Sequence, residues 1–209
     1  MIYTDIHTHH TFSNPNVIAI RNISIAEADA MIHLNENGWF SIGIHPWNAD
    51  SYQTSEVFLL ENLAKNERIK FIGECGLDKN SKAGLELQLF FFKKQIEISE
   101  QLQKPLIIHC IGYYNELFDL KKRCNPAVRW IIHGFRGKPQ LAEQALKAGF
   151  DLSFGEKFNE QSVRITPFEN LFVETDESLL SIEQIYEKTA FAKHCNIEDL
   201  NSGEKLLNC

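Results

Sequence analysis

Short apolar runs alternate along this chain with longer segments whose apolar residues recur at helical spacing. Ile107-Ile108, Trp130-Ile131-Ile132 and Leu171-Phe172-Val173 are continuously apolar, as strands buried on both faces of a parallel sheet must be. Weaker strands are expected over Val17–Ile23 and residues 150–154. Between such runs, Leu85, Leu89, Phe92, Ile96 and Leu102 predict a helix over residues 85–102, and the Phe90-Phe91-Phe92 run is read as that helix packing on the sheet. Pro139 sits where a first-turn proline is tolerated and Gly149 where a helix stops. Ser55 and Ser181 read as N-caps, Ser181 forming a capping box with Gln184. Lys121-Lys122-Arg123 falls near the end of the helix expected after Gly112, where cations favour the helix dipole. Strands alternating with helices argue for βα units around a parallel sheet. With no internal repeat, low-complexity tract or linker, the expectation is one α/β domain over residues 1–209: about eight βα units closed into a TIM-like (β/α) barrel. It is abbreviated, since such barrels more often run to ~250 residues.

Composition adds bounds. The 209 residues are 44% apolar and 23% charged, ordinary for a globular chain with a real core. No apolar stretch reaches the roughly 18 residues of a membrane span. The chain opens directly on a strand-like run without a basic segment, so no secretory signal is expected. Its five cysteines (75, 110, 124, 195 and 209) are odd in number and lack CxxC spacing, which reads as reduced thiols in a cytoplasmic protein. A net charge of −7 disfavours broad non-specific binding to nucleic acid. It leaves open a small phosphate-bearing substrate, because bound dications reverse the local sign.

The candidate chemistry lies at the ends of the apolar runs, where an α/β barrel keeps its active site. His7 and His9 close the first run, His45 follows Gly43-Ile44, Glu74 follows Ile72-Gly73, His109 follows Ile107-Ile108, His133 follows Ile131-Ile132, and Asp176 follows Glu174-Thr175. Residues two apart on a strand share a face, so His7 and His9 can grip one ion. The competing reading is a hydrogen-bonded core pair; polar Thr11, Ser13 and Asn14 just beyond favour a site. Glu74 could instead cap a helix, a lone strand-end histidine is more often a satisfied core residue than a ligand, and the Glu174–Glu177 cluster could be a solvated loop. Both His109 and His133 ending apolar strands favours ligands. Asp176 is preferred to its rival Glu174 because it stands nearer the strand's C-terminal end. Imidazole and carboxylate together suit divalent metals.

Taken in order, His7-Thr8-His9, Gly43-Ile44-His45-Pro46, Gly73-Glu74-Cys75-Gly76-Leu77-Asp78, Gln88 with Phe91, Pro105 to His109, His133-Gly134-Phe135 and Glu174-Thr175-Asp176 resemble the TatD family of metal-dependent hydrolases, within the amidohydrolase superfamily. The resemblance runs from residue 5 to about 180. It implies a distorted TIM barrel carrying one or two divalent ions (Mg²⁺, Mn²⁺ or Zn²⁺) and hydrolysis of DNA, often from an end. Carried over by position, it implies that His7, His9, Glu74 and Asp176 surround one metal and that Glu74, His109 and His133 surround another, with Glu74 bridging and His45 lining the pocket. Family members usually carry an arginine soon after the histidine matched by His109, where this chain has Cys110-Ile111-Gly112. They usually carry proline after the motif matched by Glu174-Thr175-Asp176, where this chain has Glu177-Ser178. The stretches from His9 to His45, after Asp78 and at the C-terminus are short, which puts nuclease specificity in question rather than the metal chemistry.

The implied mechanism is a metal-activated water attacking a phosphodiester of DNA or a short oligonucleotide, with Asp176 and Glu74 as the catalytic carboxylates. Substrate contacts are expected from His45, from Arg136 as a phosphate clamp in the loop that also holds Lys138, and from Trp47 as a surface for a base. Lys79 and Lys157 have weaker claims. For Trp47 a packed role is the alternative, for Arg136 a solvated one. Two other functions compete: hydrolysis of an amide, ester or lactone by the same metals, and a non-catalytic metal-stabilised scaffold. The sequence suggests no membrane association and no protein partner.

Overall fold

The computed structural model describes residues 2–11, 14–33, 38–200 and 202–207; Ser13 and Cys209, named above, lie outside them. Eight strands, β1 (Tyr3–Thr8), β2 (Val17–Ile23), β3 (Trp39–Ile42), β4 (Ile69–Asp78), β5 (Leu106–Ile111), β6 (Trp130–Ile132), β7 (Asp151–Phe154) and β8 (Leu171–Val173), lie in chain order in one sheet. The helices are α1 (Ile25–His33), α2 (Thr54–Ala64), α3 (Leu85–Leu102), α4 (Tyr114–Cys124), α5 (Pro139–Lys147), α6 (Glu160–Ile165), α7 (Ile182–Lys193) and α8 (Ser202–Leu207), and a 3₁₀ turn spans Pro46–Ser51. Among the described residues no helix is long and apolar enough to cross a membrane. The chain divides into two compact units, Met1–Arg21 with Ile131–Cys209, and Asn22–Trp130.

In the first unit β1 runs parallel to the start of β2, and β7 runs parallel to both β6 and β8. Just past β8 the chain meets β1: Thr8 and Asp176 form a parallel bridge, the Asp176 N–H donates to the His7 carbonyl at 3.0 Å, and the His9 N–H donates to the Asp176 carbonyl at 3.1 Å. The core of this unit is built from wholly buried Ile6, Ile20, Phe135, Phe150, Phe154 and Phe172. Helix α7 is pinned to β1 by the buried Tyr186 hydroxyl, which donates to the Thr4 carbonyl at 3.0 Å.

In the second unit β4 runs parallel to β3 on one side and β5 on the other, so nearly every residue of β4 is buried. Helix α3 carries two glutamines, seven residues apart and hence on one face, into this buried ground. Gln95 accepts the Ile44 N–H at 2.7 Å and donates to the Ile44 carbonyl at 3.1 Å. Gln88 accepts the Asp78 N–H at 2.8 Å and donates to the Asp78 carbonyl at 3.0 Å. The helix thereby supplies partners to backbone groups where β4 ends and just beyond β3, in ground away from water.

Most expected elements hold their bounds. Helix α3 covers 85–102, β2 covers 17–23, Pro139 opens α5, Lys121, Lys122 and Arg123 fill the last turn of α4, and Ser181 with Gln184 caps α7. Gly149 follows α5 with φ +82°. Three expectations shift. Ser55 is inside α2, whose N-cap is Gln53. Glu56 accepts the Gln53 N–H at 2.8 Å and the Ser55 hydroxyl at 3.1 Å, so the acid three residues into the helix supplies the cap. Phe150 precedes β7 because its N–H is bonded back to the Ala145 carbonyl at 3.0 Å. Glu74 and His109 lie within strands rather than at their ends: β4 runs on to Asp78 because Cys75, Gly76, Leu77 and Asp78 pair with Ile108, His109, Cys110 and Ile111.

Gly76 makes that continuation possible. Its φ is +135°, and a Cβ there would stand 2.1 Å from the His109 carbonyl oxygen. Gly76→Ala therefore combines a backbone conformation disfavoured for L residues with a clash against backbone, and should cost about 3 kcal/mol of stability. Urea denaturation checks this; an unchanged midpoint would show that β4 and β5 can separate freely.

Candidate metal centre

The first unit brings four of the expected residues together. His7 is wholly buried, its ring centroid 4.5 Å from that of His133, and its Nε2 lies 3.7 Å from Asp176 Oδ1. His9, just past β1 with its ring centroid 5.1 Å from that of His7, is partly exposed and places Nε2 3.6 Å from the same oxygen. Donor atoms of His7, His133 and Asp176 all fall within 4.8 Å of one another. Asp176 reaches this position from a left-handed backbone, φ +54°, immediately after its bridge to Thr8.

Two further carboxylates underlie this group. Glu174 is wholly buried; its Oε1 accepts the Gly134 N–H at 2.6 Å and lies 3.4 Å from His133 Nδ1. Burial pushes this carboxyl up, but His133 and the neighbouring His7 outweigh it and hold Glu174 below the usual glutamate range. Glu174, the rival for the Asp176 position, is thus turned toward the back of the His133 ring. Asp5 accepts the Thr175 N–H at 3.0 Å and the Thr175 hydroxyl at 2.6 Å, and Thr175 Oγ1 also lies 2.7 Å from Thr8 Oγ1. Here burial wins over those hydrogen bonds, and the Asp5 carboxyl is pushed up to about 7.

The second unit brings together His45, Glu74 and His109, whose donor atoms also lie within 4.8 Å of one another. Glu74 Oε1 is 3.4 Å from His45 Nε2 and 3.2 Å from His109 Nδ1. His45 Nδ1 accepts the Trp47 backbone N–H at 3.1 Å, which leaves Nε2 to face Glu74. The other nitrogen of His109, Nε2, lies 2.9 Å from Asp78 Oδ2. Asp78 also accepts the Trp47 indole N–H at 2.7 Å and the Asn80 N–H at 2.7 Å. Burial pushes the Asp78 carboxyl up, but these donors hold it below the usual range. Asn22, at the end of β2, accepts the Glu74 N–H at 3.0 Å and the Ser41 hydroxyl at 3.1 Å. Both sets combine imidazole with carboxylate, the donor chemistry of divalent ions, and both are backed by groups that fix ring orientation.

Of the supporting residues, sequence reading weighs Glu174 only as the rival of Asp176 and gives Asp78, Asp5 and Asn22 no role. Asp78 had a signal, since it closes the Gly73–Asp78 run; Asn22, inside a strand, had none. Of the expected substrate contacts, Arg136 lines a cavity of about 200 Å³ together with Lys157, Gly134, Asp176 and Ser178. Trp47 is 57% exposed rather than packed. The stem of Lys79 lies against Gly112. Phe91 and Phe92 are buried on α3. Cys75 and Cys110 are free and buried; burial pushes both thiols up, Cys110 to about 12.

The model of the family described as TatD related DNase matches residues 4–195. An uncharacterized metal-dependent hydrolase, YabD, of Bacillus subtilis is 29% identical over 77% of this chain and 66% of its own length. A protein named 3'-5' ssDNA/RNA exonuclease TatD, from Erwinia amylovora, is 27% identical over 66% of this chain and 57% of its own. This chain therefore spans about three-fifths to two-thirds of the curated relatives it matches. The crystal structure of a TatD homologue from Escherichia coli K12, YJJV, superposes with a TM-score of 0.80 at 18% identity, covering 99% of this chain and 95% of that one. The fold is thus a TIM-like (β/α) barrel, as the strand pattern predicts.

The Asp5 carboxyl yields a pH prediction. A carboxyl raised from 3.8 to about 7 keeps its proton in the folded protein where the unfolded chain has lost it. The stability it contributes is complete at low pH and declines as pH rises from about 4 to about 7, by about 1.4 kcal/mol for each pH unit crossed. In metal-free protein, Asp5→Asn should therefore gain stability relative to the parent across that window, read from urea midpoints at several pH values. Parallel pH profiles for the two proteins would mean that Asp5 is ionised throughout.

Proposed function

Because this chain belongs to the TatD related DNase family, we propose that it is a metal-dependent phosphodiesterase acting on DNA ends or short oligonucleotides, working in the cytoplasm. The observation that carries this reading is the convergence of imidazole and carboxylate donors within each unit: His7, His133 and Asp176 in one, His45, Glu74 and His109 in the other. The names of its relatives, metal-dependent hydrolase and 3'-5' ssDNA/RNA exonuclease, support the reaction class. The free buried thiols support a reducing compartment.

One or two divalent ions fit these donors; Zn²⁺ and Mn²⁺ suit imidazole with carboxylate, and Mg²⁺ suits the carboxylates. Such an ion, when bound, supplies an acidified water and neutralises charge building on the phosphoryl group. The chain's own groups do the rest. Asp176 takes the proton of the attacking water at Oδ1, the oxygen that His7 and His9 both face. Glu74 keeps its carboxylate between two imidazoles and, with Asp176, sets the charge of the donor sets. Glu174 holds His133, and Asp78 holds His109, in one ring orientation. Arg136 grips a substrate phosphate, aided by Lys157 across the same cavity.

Purified protein should hydrolyse single-stranded DNA of defined ends, lose activity on prolonged chelation, and regain it with one of Mg²⁺, Mn²⁺ or Zn²⁺ added in turn. Asp176→Asn should cut kcat by about 10²-fold or more while circular dichroism stays unchanged. Full turnover in that variant would remove Asp176 from the chemistry. Activity confined to an ester, amide or lactone panel would replace the phosphodiester with another bond.

A further inference from the structure

We propose that Trp47 is a pre-set platform on which the unpaired base at a strand end stacks, and that Asp78 is the positioning residue that holds this platform and the His109 ring together. The proposal rests on the nuclease reading above and narrows its substrate to ends whose terminal base is free to swing out.

Trp47 differs from the other exposed large apolar side chains. Phe58, Leu179 and Phe191 are also exposed, and isolated residues of that kind are normal on a surface. Trp47 alone among these carries a polar handle, and the handle is tied down: its indole N–H donates at 2.7 Å to Asp78, a wholly buried carboxylate. The backbone beneath it is also fixed. It lies in the Pro46–Ser51 turn, its own N–H donates to His45 at 3.1 Å, and the Ser81 hydroxyl holds the Pro46 carbonyl at 2.8 Å. A large, flat apolar surface is thus held in one orientation while more than half of it faces water. Burying that surface under a ligand is favourable, and the ordering cost is already met in the free protein.

The platform also stands in the right place. Its ring centroid is 5.5 Å from His45 and 6.4 Å from His109, both edge-on, and these are the imidazoles that flank Glu74. A nucleotide whose phosphate lies at that cluster has its own base within reach of the indole. Stacking further suits a chain with net charge −7, because it needs no basic surface and every base offers a π-face. A base inside a duplex has both faces covered by its neighbours, and swinging a paired terminal base out costs its pairing and stacking, so an unpaired or frayed end uses the site best. Asp78 links this contact to the metal donors, since the same carboxylate oxygen takes the Trp47 N–H and lies 2.9 Å from His109 Nε2.

The test is equilibrium binding, in Mn²⁺, of two short single-stranded DNA oligonucleotides that differ only in carrying a base or an abasic residue at the terminal position. Each is tried at the 3' and at the 5' end, with Asp176→Asn protein to suppress turnover. Loss of the base should weaken binding about tenfold at one end, within the range of a single base–aromatic stack. Adding Trp47→Ala should abolish that ratio, Trp47→Phe should keep most of it, and Asp78→Asn should reduce it. Equal binding of the two oligonucleotides, no binding of either, or a ratio that survives Trp47→Ala would overturn the platform. A base-dependent ratio without hydrolysis by the metal-loaded parent protein would retain the platform and reject the nuclease reading; hydrolysis without a base-dependent ratio would do the reverse.

Discussion

A carboxylate taken out of water must be answered by donors or give up its charge, and both units are organised by that requirement. Glu174 is answered by a backbone N–H and an imidazole, and stays ionised. Asp78 is answered by an indole, an imidazole and a backbone N–H. Among the described residues Asp5 is answered by neutral groups, the Thr175 N–H and hydroxyl and the His7 N–H, and is the one that burial drives toward the protonated form. Glu174 and Asp5 are equally deep, so between these two the difference lies in the neighbours, and the charge of Glu174 pushes Asp5 further up. Where the answering group is a histidine, the carboxylate also fixes that ring, so the stabilising and positioning roles fall on the same bond.

Strand geometry distributes these groups. Alternation along β1, broken by a register shift against β2 between Asp5 and Thr8, still leaves the His7 and His9 rings 5.1 Å apart, and the bridge from Thr8 to Asp176 brings an acid from beyond β8 to the same level. Along β4 the same alternation relates Glu74, Gly76 and Asp78. The middle position is empty of side chain, which lets the β4 backbone come close to His109 while a carboxylate on either side of the gap contacts its two nitrogens.

What was legible in the sequence follows from this geometry. Apolar runs, helical spacing and caps lie in contiguous residues, so α3, β2 and the capped start of α7 could be read from local pattern. The candidate ligands His7, His9, Glu74, His109, His133 and Asp176, and His45 as a residue lining their pocket, stood out because charged or titratable groups interrupt apolar runs. The support beneath them was less visible. That Glu174 and not Asp176 lies under His133, or that a glutamine on α3 completes the hydrogen bonding of Asp78, depends on contacts between residues far apart in the chain. The end of β4 is hidden for a related reason: Gly76 resembles a turn residue locally, and only its pairing with His109 of β5 shows it to be strand. The exposure of Trp47 was equally invisible, since His-Pro-Trp reads the same whether the indole is packed or open.

The two buried thiols have a practical consequence. Cys75 adjoins Glu74 and Cys110 adjoins His109, yet burial holds both as neutral SH groups, and the thiolate is the form that alkylating reagents and soft metals capture. Cys124, exposed at the end of α4, is open to such reagents. Cys195, beyond α7, is also free and partly exposed, so a maleimide reagent used at mild pH would react at such outer thiols and spare the two beside the candidate ligands.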